Sequence, residues 1–155
     1  MELVKWLSDL HCQECKVWKK TIFGKKERSG WELTSPLMCR VGEIIFYLPV
    51  GYVWDGPSYR GFLQKILGNR KWECLLAASA IHDAMGVKIL TLTDQGNIYR
   101  SYSIKSSAEI YRSLIEAWEG ESTDRMATIQ YWGLRIFHPI VDKIEKRELW
   151  KKVEN

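Results

Sequence analysis

The residues best equipped for chemistry are His82 and Asp83, which close the small-residue run Ala77-Ala78-Ser79-Ala80-Ile81. Histidine is scarce in this chain, which holds only His11, His82 and His138. An imidazole beside a carboxylate can shuttle a proton or ligate a metal. Burying such groups without partners costs roughly 2–7 kcal/mol each, so companions are expected nearby in the fold. The plainer reading of the same pair is a structural hydrogen bond at a helix end. A second set is His11-Cys12-Gln13-Glu14-Cys15. With a fourth donor, His11, Cys12 and Cys15 would form a zinc site, although such sites usually draw on two C-x-x-C pairs or on two histidines. Cys39 and Cys74 stand singly in apolar sequence and read as core thiols.

The chain that must position these groups has 155 residues, enough for one domain with its own core. Hydrophobic residues make up 46% and charged residues 27%, as in ordinary globular proteins. Eight tryptophans and seven tyrosines point to an aromatic-rich interior. The net charge is +4, and the basic residues are scattered apart from Lys19-Lys20, Lys25-Lys26 and Lys151-Lys152. That scatter argues against a dedicated nucleic-acid binder, though Trp18 beside lysines is a combination that can touch nucleic acid. With no apolar run of membrane-spanning length, no membrane partner is expected. The N-terminus lacks the pattern of a signal peptide, so the expected location is the cytoplasm, where cysteines stay reduced.

The pattern predicts a single α+β domain: an N-terminal antiparallel sheet followed by a C-terminal helical layer. Residues 1–28 read as a basic N-terminal extension with a turn at Gly24. Residues 29–54 read as the sheet. Trp31-Glu32-Leu33-Thr34 alternates like a half-buried strand, and the apolar run from Ile44 to Val50 reads as a strand covered on both faces. Residues 70–153 read as mainly helical. The spacing predicts a short helix from Phe62 to Leu67 ended by Gly68-Asn69, then a helix from Trp72 to Met85 stopped by Gly86. Two β-rich runs around Asp94-Gln95-Gly96-Asn97 predict a hairpin over 87–102. Ser106 or Ser107 caps a helix to Trp118, and further helices are expected from Thr123 or Asp124 and over 140–153.

Four segments in order carry a resemblance. They are Trp31 to Leu37, Leu48-Pro49-Val50-Gly51-Tyr52-Val53-Trp54-Asp55-Gly56-Pro57-Ser58, Ala78 to Asp83, and Ser107-Ala108-Glu109-Ile110-Tyr111. This order resembles the phage and prophage family catalogued as domain of unknown function 1353, over roughly residues 29 to 137. Arg60 stands where that family usually has proline, and Glu109 where it usually has aspartate. The resemblance implies a phage or prophage origin, hence a host cytoplasm, and a shared polar site of Asp55, Ser58, His82, Asp83 and Glu109. It implies no settled activity.

One imidazole with three carboxylates suits a divalent metal, with Mn, Fe, Zn or Mg as candidates. Asp55, His82, Asp83 and Glu109 would be its ligands, with Ser58 supplying a hydrogen bond to substrate. The expected activity is metal-assisted hydrolysis of a phosphoester or phosphodiester. The ligand order of HD phosphohydrolases is an analogy only, since no histidine lies between His11 and His82. Each group also has a structural reading: Asp55 and Ser58 as a turn, Glu109 paired with Arg112. Two other functions fit the sequence. One is a non-enzymatic phage accessory module that binds a host or virion protein. The other is a pocket that sequesters a small anionic ligand through Arg60, Arg70 or Arg112.

Overall fold

The computed structural model describes residues 4–56, 60–118 and 151–153. They form an α+β fold, with all described strand pairs antiparallel. One sheet holds β1 (Val4–Trp6), β4 (Leu37–Val41), β5 (Ile44–Leu48), β7 (Ile89–Thr93) and β8 (Gly96–Arg100), adjacent in that order. The other runs β6 (Val53–Trp54), β3 (Gly24–Leu33), β2 (Cys12–Thr21) and β9 (Lys151–Lys152). Helices α1 (Arg60–Val87) and α2 (Ile104–Glu116) pack on each other and bury the core with these strands. No described helix is long and apolar enough to cross a membrane.

Strand β4 shows why the sheet forms. Leu37, Cys39 and Val41 are buried while Arg40 is exposed, the period of a pleated strand with one covered face. In β5 only Phe46 and Leu48 are buried, and Ile44, Ile45 and Tyr47 are half-buried. The expectation of a strand covered on both faces is thus corrected: the apolar run serves one full face and one partial one.

The basic head is part of the sheets rather than an extension. β1 pairs with β4 and β2 pairs with β3 over its whole length. Charged residues at exposed ladder positions hid these strands in the composition. Gly30 lets the second sheet close. A Cβ there would stand 2.7 Å from the Trp54 carbonyl oxygen and 2.7 Å from a Val17 methyl.

Helix α1 runs unbroken through Gly68-Asn69, where a stop was expected. A glycine inside a helix costs only about 1 kcal/mol relative to alanine. Docking of the helix outweighs that, because Leu75, Ala77, Ala78, Ala80, Ile81, Ala84 and Met85 are almost wholly buried. The chain leaving β8 then binds the end of α1, with Tyr102 N–H donating to the Met85 carbonyl at 2.9 Å. The cap of α2 is Ser103, whose hydroxyl oxygen accepts from Ser106 N–H at 3.1 Å. That is three residues before the predicted Ser106. The helix expected from residue 123 lies outside the described residues, as do 140–150. Lys151–Lys152 are a strand where a helix was predicted, held beside β2 with the Lys152 ammonium 3.1 Å from the Glu32 carboxylate.

Candidate functional site

The end of β3, the β6 turn and the second half of α1 meet around Tyr52. Leu33 N–H donates to the Tyr52 carbonyl and Gly51 N–H to the Leu33 carbonyl, each at 2.9 Å. These bonds fix the chain that leads into Asp55. The Tyr52 hydroxyl donates to the Ala80 carbonyl at 3.4 Å, joining that chain to α1. At the preceding residue of α1, Ser79 Oγ accepts at 3.1 Å from the indole N–H of the wholly buried Trp54. The small residues of α1 allow this close approach.

Asp55 and Asp83 both act on Tyr52. Burial pushes the phenol well above its ordinary pKa, and the Asp83 and Asp55 carboxylates push it further, in that order. The Tyr52 hydroxyl therefore stays protonated at neutral pH. Asp55 also stands 3.4 Å from the Arg28 guanidinium, and its side chain is 16% exposed. Asp83 is the more open of the helix pair, at 24% against 4% for His82. Its Oδ1 lies 3.7 Å from His82 Nδ1, too far for a direct hydrogen bond. The His82 ring meets Tyr111 of α2 edge-on, with centroids 5.3 Å apart. Tyr111 is itself held protonated, by burial first and then by the neighbouring Cys74 and Asp83.

Of the expected site residues, His82 and Asp83 are neighbours on α1, and Asp55 follows the turn that the Tyr52–Ala80 bond ties to the same helix. Glu109 does not face them. It is exposed, and its position is about 200° around α2 from Tyr111, the residue that touches His82. Its expected pairing with Arg112 is also replaced, because Arg112 Nε donates to Glu116 at 3.1 Å. Ser58 lies outside the described residues, as do the side chains of Arg60 and Arg70.

The C-x-x-C is not assembled either. Cys12 and Cys15 are three apart on strand β2, so their side chains leave opposite faces. Both are free thiols, as are Cys39 and Cys74. Burial, with Glu73 adding to it, pushes Cys12 up to about 11. Burial and Glu32 raise Cys15, against a smaller lowering by Lys152. Among the described residues, no group of three or more His, Cys, Asp or Glu side chains could by itself hold a metal ion.

Sequence reasoning missed Tyr52, Arg28 and Tyr111. Tyr52 and Tyr111 stand inside the recognised motifs, so proximity to Asp55 and Glu109 was an available signal. Nothing local marks Arg28, because it reaches Asp55 only through the pairing of β3 with β6. Trp31, on the same strand, keeps its indole nitrogen buried without a hydrogen-bond partner among the described residues, beside Gly56. Compared with family models, curated proteins and solved structures, the chain matches none.

Proposed function

We propose that the chain is a phosphoester or phosphodiester hydrolase built on Asp55 and Asp83. The observation that carries this reading is the hydrogen bond from the Tyr52 hydroxyl to the Ala80 carbonyl, which ties the turn leading into Asp55 to the stretch of α1 that leads into Asp83. Two carboxylates repel a phosphate, so such a substrate needs positive charge between them. Mg²⁺ and Mn²⁺ suit that donor set, because hard ions of this kind use one or two carboxylates and take water and phosphate oxygens for the rest. Zinc suits it less, since a catalytic zinc takes three protein ligands. A bound cation would supply an activated water and polarise the phosphoryl oxygen. Asp55 and Asp83 would hold it.

The other roles follow from exposure and charge. Arg28, 34% exposed beside Asp55, can donate to a phosphate oxygen. His82 is too buried to meet substrate and acts as a positioning residue behind Asp83. Tyr52 is a fixed donor that keeps the turn against α1. The order of the four sequence motifs supports a phage origin for this activity.

The test is hydrolysis of bis(p-nitrophenyl) phosphate with Mg²⁺ or Mn²⁺ added. Turnover is expected, reduced by roughly 100-fold or more in Asp55→Asn and in Asp83→Asn. Glu109→Gln should leave it unchanged. Undiminished turnover in both aspartate variants, with the fold intact, overturns the reading, and so does no turnover with either ion. A second reading is the accessory module that binds a host or virion protein. The Arg28–Asp55 ion pair favours it, since a carboxylate engaged by a guanidinium is a poorer ligand. Such a module would keep partner binding in the Asp55→Asn/His82→Asn double variant.

A further inference from the structure

The β2–β3 hairpin ends in a tip that serves neither the core nor the carboxylate site. Thr21 pairs with Gly24, so Ile22 and Phe23 alone make a two-residue loop. Ile22 is 66% exposed and Phe23 93%. Tight hairpin loops select Asn, Asp or Gly, not Ile and Phe. Here the unusual backbone angle falls on Gly24, at φ 110°. The tip thus presents two large apolar side chains to solvent.

Charge gives the tip a direction. The next two rungs of the ladder are Lys20 opposite Lys25 and Lys19 opposite Lys26. Lys25 and Lys26 are both exposed. The first acidic residue, Glu27, comes on the third rung, opposite Trp18. At about 3.4 Å per residue, it stands roughly 10 Å behind the turn. An apolar point therefore leads, four lysine positions follow, and Trp18, 37% exposed, sits at the rear.

We propose that this tip docks on an anionic lipid surface. Ile22 and Phe23 would enter the boundary between headgroups and acyl chains. Lys25 and Lys26 behind them would meet lipid phosphates and carboxylates, and Trp18 would sit at interface depth. Such contact rests on a membrane without crossing it, so it is compatible with the lack of a membrane-crossing helix among the described residues. Single-stranded nucleic acid is the less favoured partner. Ile22 has no ring for a base to stack on, and Glu14, Glu27 and Glu32 interrupt the basic track a phosphate backbone would follow.

The experiment is co-sedimentation of the full chain with phosphatidylcholine vesicles, with and without phosphatidylserine. Binding is expected only with phosphatidylserine, and added salt should weaken it. Ile22→Ser/Phe23→Ser should lower the partition coefficient about tenfold or more. Lys25→Gln/Lys26→Gln should lower it by a similar factor. Unfolding midpoints equal to that of the unaltered chain would show that these exposed changes spare the fold. Absence of binding to phosphatidylserine vesicles overturns the proposal. So does equal binding to both vesicles, or wild-type binding by either double variant. An oligonucleotide that binds through Phe23 while vesicles do not would assign the tip to nucleic acid. Vesicle binding and phosphodiester turnover are separate readouts, so failure of one leaves the other standing.

Discussion

Ser79 shows how one small side chain holds the site together. Its hydroxyl accepts from the buried Trp54 indole at 3.1 Å and donates to the Leu76 carbonyl at 2.8 Å. Ser79→Ala would leave the indole N–H buried and unsatisfied. The expected loss is about 1–3 kcal/mol, read as a lower urea midpoint. A midpoint equal to wild type would mean that Trp54 finds another acceptor. At this scale the sequence was legible where partners are neighbours in the chain. His82 and Asp83 could be paired on sight. Asp55 with Arg28 could not, because their contact depends on which strands lie side by side. Glu109 misled for a related reason. Its helix was placed correctly, but α2 turns Ala108, Tyr111 and Leu114 into the core and leaves Glu109 exposed.

Elements were legible where burial leaves a period and obscure where charge covers it. The strands β4 and β5, the hairpin of β7 and β8, and most of both helices follow patterns visible in the sequence. The head did not read as strands, since six of its residues from Cys12 to Lys26 are lysine or glutamate, and Glu14, Lys16, Lys25 and Lys26 are exposed. Two substitutions test how these elements are held. Gly30→Ala places a methyl within 2.7 Å of the Trp54 carbonyl oxygen, which cannot swing aside as a side-chain end could. The sheet must shift, at a cost of about 1–3 kcal/mol. Thermal unfolding should register the loss, and an unchanged midpoint would show that the β2–β3–β6 contact is looser than described. Ser103→Ala removes the acceptor for Ser106 N–H at the start of α2. About 1 kcal/mol should be lost, and hydrogen exchange should quicken in the first turn of α2.

At the scale of the whole molecule, several described thiols and the Tyr52 and Tyr111 phenols are held neutral by burial, and this sets the response to alkali. Burial and Glu73 push Cys12 from an ordinary 9.0 up to about 11, and burial pushes Cys74 up to about 12. Burial also raises Cys39, Tyr52 with the Asp83 and Asp55 carboxylates adding to it, and Tyr111 with Cys74 and Asp83 adding to it. In the unfolded chain these groups release their protons at lower pH than in the folded one. Below 9.0 both states keep the Cys12 and Cys74 protons, so the stabilising contribution is complete. As pH rises above 9.0, the unfolded chain holds fewer protons than the native one, and stability must fall. The Cys12 part is lost by about 11 and the Cys74 part by about 12. Urea midpoints measured from neutral pH to about 11 should therefore decline with increasing steepness. Cys12→Ser should flatten part of that decline while leaving the deeper thiols and phenols to drive the rest. A midpoint constant across this window would mean that these groups reach solvent freely, and the packing of α1 against both sheets would need a different account.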